Sequence, residues 1–174
     1  VLRTSRVPVI VDADAINAVS RDMDMLSECD CELVFTPHAM EMKRLTGLEI
    51  PYIEANRLEV SREFAEEYGA VLLLKGPHTV VTAPSLVQYI NNTGNAGLAS
   101  GGSGDVLAGI IAALAARGIE CASAAAAAAH IHGKAGDITA ARFGMESMSA
   151  VNVLDCGESV KFARSVTPSA PSVI

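Results

Sequence analysis

Between Asn91 and Gly104 the chain carries five glycines, and it then runs through Asp105 into an apolar stretch, Val106 to Ala116. A β-like run, Leu86 to Ile90, precedes the loop. Glycine permits positive φ and close approach of a backbone to a ligand. A loop of this kind that ends at a helix start leaves several backbone N–H groups unpaired. Those groups, with the positive end of the helix dipole, form an anion site. Asp105 stands where that site forms. A carboxylate there is stabilised as the anion and is available to accept a proton. Donors aimed at an anion beside a base suit phosphoryl transfer to a hydroxyl. For Gly-Gly-Ser-Gly-Asp alone, a helix start capped by Ser103 and Asp105 is an equally good reading.

The remaining segments alternate between strand and helix patterns. Val7 to Val11 is a continuous apolar run, as in a buried parallel strand. It ends in Asp12 and Asp14, and open α/β sheets keep their ligands at such strand ends. Capping of the next helix is the plainer role for both. Leu33 to Phe35 is a second strand. Thr36 can cap the following helix and Pro37 suits its first position. That phasing puts His38 in the first helical turn, where the dipole disfavours imidazolium. A neutral imidazole there can hydrogen-bond a carboxamide or a hydroxyl, or simply face solvent. Gly47 ends this helix. Pro51 starts another, with Leu58, Phe64, Ala65 and Tyr68 on one side, and Gly69 ends it.

Val71 to Leu74 is the next buried strand and delivers Lys75, which can reach a phosphate or snorkel past the sheet. Thr79 to Thr82 and Leu86 to Ile90 read as a hairpin. Ser103 to Ala116 is a helix apolar nearly all round, so burial is expected on every side. Ala122 to Ala129 opens a further helix whose small side chains allow close packing. His130 and His132 lie two apart, point to different faces and make a poor metal pair. A last helix is predicted over Asn152 to Arg164, with a loosely ordered Ser/Pro-rich tail over 165–174. With no repeat and no linker, the 174 residues read as a single domain.

Composition narrows the partners. Half the residues are hydrophobic, and the net charge of −7 argues against nucleic acid and membrane surfaces but not against a nucleotide. The longest apolar run is too short to span a bilayer. The four cysteines show no zinc spacing, and without a visible signal peptide they read as reduced thiols of a cytoplasmic protein.

The longer string from Gly94 to Gly109 resembles the signature of the ADP- or ATP-dependent NAD(P)H-hydrate dehydratases, members of the ribokinase-like superfamily. Three further stretches fit in the same order: Val11 to Asn17, Thr36-Pro37-His38, and Leu74 to Val80. One position departs, with Met40 where the family has a glycine before the glutamate. The resemblance covers about Val7 to Lys161. It implies a three-layer ribokinase-like α/β/α fold with a mainly parallel sheet, here the C-terminal two-thirds of a domain. It implies nucleotide-dependent dehydration of hydrated NADH or NADPH, by phosphoryl transfer to the ring hydroxyl and then elimination. Asp105 is then the base. His38, Asp14 and Asn17 join Asp105 on the substrate. Lys75, Gly76, Pro77, His78, Thr79, Asn95, Gly102, Ser103 and Gly104 hold the nucleotide. ADP or ATP is the phosphoryl donor, Mg²⁺ bridges phosphates, and no protein metal cage is implied. A homo-oligomer and an epimerase, as partner or fused domain, are further implications. The rivals are a ribokinase-like small-alcohol kinase of the hydroxymethylpyrimidine or hydroxyethylthiazole type, and a nucleotide-binding module without turnover.

Overall fold

A computed structural model describes residues 1–160. Its centre is a five-stranded sheet in the order β1 (Val9–Val11), β2 (Leu33–Phe35), β3 (Val71–Leu74), β4 (Val80–Thr82) and β5 (Gln88–Ile90). The first three strands pair in parallel, with Val9 opposite Leu33 and Val34 opposite Val71. β4 and β5 form the expected hairpin, with β4 antiparallel to both β3 and β5. Four of the five strands therefore point the same way, and the sheet is mainly parallel as predicted.

Side chains alternate across a strand, so an apolar run buried at every position feeds two cores at once. β3 does this. Leu72 and Leu74 join Phe35, Met42, Ile53 and Phe64 on one face. Val71 and Leu73 join Val34, Leu107, Ile111 and a row of alanines on the other. The first face is covered by α1 (Asp14–Val19), α2 (Ala39–Thr46), α3 (Ile50–Ala55) and α4 (Arg57–Tyr68). The second is covered by α5 (Ser103–Ala116) and α6 (Cys121–Phe143). This is the three-layer arrangement.

Three expectations need correction. The helix from Pro51 breaks at Asn56 (φ −125°, ψ 35°) into two, α3 and α4. Within α4 the buried stripe runs through Val60, Ser61, Phe64 and Ala65, and Leu58 lies off it, 44% exposed. α5 has the predicted bounds, but only Ser103, Leu107 and Ile111 are buried. Those positions are four apart, one stripe of the helix, and Gly109, Ala112, Ala113 and Ala116 on other sides are exposed. The last helix, α7, spans Ala150–Gly157 with Ser149 accepting from the Asn152 N–H as its cap. It starts earlier and stops sooner than Asn152 to Arg164. Arg164 and the predicted tail 165–174 lie outside the described residues.

α6 also forms the bed on which the glycine loop rests. A Cβ on Gly133 would collide with Thr93, including its carbonyl oxygen at 2.8 Å. One on Gly136 would meet the Leu98 side chain at 2.7 Å. Asn91 Nδ2 donates to Ala129 O at 3.3 Å, and Thr93 Oγ1 donates to His130 O at 3.2 Å. Gly133→Ala is therefore expected to destabilise the protein by about 1–3 kcal/mol, as overpacking does. Gly109→Ala, in open space in the middle of α5, should stabilise it by up to about 1 kcal/mol through helix propensity. Urea unfolding of the two variants checks both signs.

Candidate functional site

The C-terminal ends of the three parallel strands carry Asp12, Thr36 and Lys75. Thr36 Oγ1 donates to Asp12 Oδ1 at 2.7 Å, and Lys75 Nζ donates to the same oxygen at 2.9 Å. Lys75 Nζ also lies 3.6 Å from Glu41 Oε2. Burial alone would raise the Asp12 carboxyl. The hydrogen bonds from Lys75 and Thr36, with the Lys75 charge, outweigh it and hold Asp12 below the usual carboxylate value.

Thr36 is thus engaged with Asp12 and does not cap α2. His38 is the cap. Its Nδ1 accepts from the Glu41 N–H at 3.2 Å, while Glu41 Oε2 accepts from the His38 N–H at 2.8 Å. This reciprocal capping box places the helix start two residues beyond the prediction, with the cap at His38 instead of Thr36 and the first helical residue at Ala39 instead of Pro37. The box locks the orientation of the ring, whose Nε2 is 3.5 Å from Glu41 Oε1. Met40 does not disturb the box and is exposed at the same helix start.

At the start of α5 the left-handed residue is Gly102 (φ 82°), and no side chain caps the helix. Ser103 and Asp105 therefore do not cap it. Among the described residues, the Gly104 and Asp105 N–H groups find no acceptor. Gly104 packs against the strand ends. A Cβ there would sit 3.5 Å from Asp12 Oδ2 and 3.6 Å from Lys75 Nζ. Unpaired amides, a helix N-terminus and an ammonium group thus converge within a few ångströms, a geometry suited to phosphate.

A cavity of about 1030 Å³ opens beside this point. Lys75, Gly76, Pro77, His78 and Thr79 line it, with His38, Asn95, Ser103 and Gly104. Gly102 and Asp105 do not. Asp105 is exposed on the first turn of α5, one residue beyond Gly104. Asp14 and Asn17 line a separate depression of about 540 Å³ with Arg21 and Arg44. There Arg44 donates to Asn17 Oδ1 at 2.8 Å, and Asn17 Nδ2 donates to Asp14 Oδ1 at 3.3 Å. His38 and the Asp14–Asn17 pair, assigned to one substrate by resemblance, therefore open into different cavities.

Several residues of the site are not assigned to it from the sequence, among them His132, which is read there only as a poor metal ligand. Asp137 accepts from the Gly94 N–H and from Asn95 Nδ2, both at 3.2 Å. Asn95 Oδ1 accepts from the Gly97 N–H at 3.0 Å, so Asn95 shapes the loop with both ends of its amide. Glu41 is buried beside Lys75. His132 is buried, lines the cavity and lies 3.1 Å from Ser103 Oγ. Polar residues inside the alanine-rich helix α6 were the available signal, since a buried polar group needs a partner.

A family model described as NAD(P)H-hydrate dehydratase matches residues 1–157. A bifunctional NAD(P)H-hydrate repair enzyme from Moorella thermoacetica is 49% identical over 86% of this chain and 28% of its own length. An ADP-dependent (S)-NAD(P)H-hydrate dehydratase from Neisseria meningitidis is 43% identical over 75% of this chain and 45% of its own. The chain thus spans less than half the length of these relatives. Among solved structures, the ADP/ATP-dependent NAD(P)H-hydrate dehydratase from Bacillus subtilis, co-crystallised with ATP and Mg²⁺, superposes with a TM-score of 0.82 at 28% identity. The match covers 91% of this chain and 55% of that one. A ribokinase-like superfamily protein from Enterococcus faecalis gives 0.68 at 28% identity, over 86% of this chain and 51% of that one. The fold is ribokinase-like.

Stability should depend on pH through two groups at this site. Burial pushes the His132 imidazole below its ordinary value, and a contact with the Ser103 backbone opposes this but is outweighed. The unfolded chain then binds a proton below about pH 6.5 that the folded one refuses. Stability falls as pH drops through that window. Asp12, also depressed, adds a second loss that begins near the unfolded carboxyl value of about 3.9. His132→Gln should flatten the first decline and leave the second, as read from urea midpoints between pH 8 and 3.

Proposed function

The chain belongs to the NAD(P)H-hydrate dehydratase family, and from that membership we propose that it carries the site where an adenine nucleotide drives dehydration of hydrated NADH or NADPH. The carrying observation is the pair of unpaired amides at Gly104 and Asp105, set against Lys75 beside a cavity of about 1030 Å³. That volume is at the upper end of the range for small-molecule sites.

The donors present suit a nucleotide. The Gly104 and Asp105 amides take the charge that builds on a transferred phosphoryl group. Lys75, held between Asp12 and Glu41, keeps a positive charge at the strand ends without being free to swing. Lys75 to Thr79 and Asn95 form walls for the rest of the nucleotide, and Gly102 supplies the turn that starts the helix. Asp105 accepts the proton of the substrate hydroxyl as that oxygen attacks phosphorus. His38, with its ring set by the capping box, meets the nicotinamide end, and Asp14 with Asn17 receives another part of the dinucleotide. Phosphate and the ring proton then leave, restoring NADH or NADPH.

Among the described residues, no three His, Cys, Asp or Glu side chains gather to hold a metal ion. The donor set fits Mg²⁺ carried chiefly by phosphate oxygens with one or two carboxylates, as is usual for this ion. Mg²⁺ supplies neutralisation of phosphate charge when bound. Asp12, Glu41 and Asp105 are the carboxylates within the strand-end and helix-start cluster. The four cysteines are free, consistent with the cytoplasm. No helix among the described residues is long and apolar enough to cross a membrane. The bifunctional name of the Moorella relative, of which this chain spans 28%, supports an epimerase as partner or fused domain. A homo-oligomer remains part of the proposal.

Incubation with hydrated NADH, Mg²⁺ and ADP or ATP tests the reading. Regenerated NADH absorbance, dependent on nucleotide, is the expected result. A stable phosphorylated product without NADH would instead identify a small-alcohol kinase, and nucleotide binding without turnover a binding module. Asp105→Asn should lower kcat about 10²–10⁴-fold, the range for loss of a general base, with nucleotide affinity nearly unchanged. Steady-state kinetics alongside calorimetric titration measure both quantities.

A further inference from the structure

We infer that His132 is a positioning residue for the nucleotide, holding the Ser103 hydroxyl so that it joins the Gly104 and Asp105 amides as one set of phosphate donors. The inference rests on the reading that an adenine nucleotide occupies the larger cavity.

Serine at a helix start commonly turns its hydroxyl back onto the helix amides. Ser103 does not. Its side chain makes no cap bond, and its Oγ lies 3.1 Å from His132 Nε2. Both residues are buried, at 2% and 7% exposure, yet both line the cavity. Among the described residues, His132 is the one side chain bonded to the segment from Ser100 to Asp105. Ser100 adds a further hydroxyl to the same lining. Among the described residues, its Oγ is buried without a partner, and its residue lines the same cavity.

A hydroxyl has one proton and two lone pairs, while a neutral imidazole donates from one nitrogen and accepts at the other. When Nε2–H donates to Ser103 Oγ, the hydroxyl proton is released toward the cavity. An anion there selects this arrangement, because it can only accept and because charge-assisted hydrogen bonds are the stronger ones. Burial keeps the ring neutral, so the tautomer required is available without a change of charge.

The support is rigid. His132 precedes Gly133, against which Thr93 packs, and Asp137 on the same helix grips Gly94 and Asn95. One helix therefore holds the glycine loop at its beginning through Asp137 and at its end through His132.

The test is a double-mutant cycle on nucleotide Kd and on KM for each ligand. Ser103→Ala and His132→Leu should each weaken ADP or ATP binding about 10- to 100-fold, the range for a lost hydrogen bond to a charged group. The double variant should be no worse than the poorer single one. His132→Gln, which keeps an N–H donor near Nε2, should restore most of the affinity. KM for the hydrated dinucleotide should not move. Additive losses, equal damage to both ligands, or unaltered nucleotide affinity in Ser103→Ala would overturn the inference. Ser103→Ala removes a single oxygen, so it decides the matter even where His132→Leu does not fold. A wild-type protein that binds neither ADP nor ATP would sink the functional reading itself, whereas wild-type binding that the variants leave intact sinks this inference alone.

Discussion

One ammonium group sits where the three parallel strands end. Lys75 Nζ bridges Asp12 and Glu41, and Thr36 completes the Asp12 shell. Parallel strands place their C-terminal ends on one side of a sheet, so polar residues that follow them must meet. Here they meet beneath Gly104. The side chains are only 7–22% exposed, so removing one partner would leave a charge in poor solvent. The cost approaches, without reaching, the ~3–5 kcal/mol of a fully buried broken pair. The cluster has a second consequence. Its carboxylates hold Lys75 in place, so its positive charge stays beside the unpaired amides of α5.

The fold makes that juxtaposition durable by building the loop against α6. Small residues along α6 bring it close to the sheet through its alanine row and close to the loop through Gly133 and Gly136. Larger side chains at these places would push the loop away from the strand ends and separate the amides from Lys75. The alanines that dominate α6 thus serve the site as well as the core. The close approach at Gly133 and Gly136 sets the loop on α6.

What the sequence revealed was mostly local. Apolar runs with their bounding polar residues identified all five strands, and the glycine loop identified the start of α5 at Ser103. Lys75 to Thr79, Asn95, Ser103 and Gly104 do share one cavity with His38. What it concealed was set by contacts distant along the chain. Thr36 looks like a cap until Asp12, 24 residues away, claims its hydroxyl. His38 becomes the cap because Glu41 reaches back to it. The separation of Asp14 and Asn17 from His38 follows from α1 and α2 packing side by side, which Arg44 fastens to Asn17. His132 reads in the sequence only as a poor metal ligand beside His130, and Asp137 is hidden in a run that reads as plain helix. Their roles emerge only when the loop from Asn91 to Gly104 is laid over them.

The central claim is that phosphate is received by the backbone at the start of α5. Titration of the isotopically labelled protein with ADP, followed by amide NMR, tests it most directly. The Gly104 and Asp105 amide protons are expected to move most, to the low field of strong hydrogen bonds, with accompanying shifts between Lys75 and Thr79. Saturable ADP binding that leaves the Gly104 and Asp105 amides unmoved, with its shifts concentrated elsewhere, would contradict it.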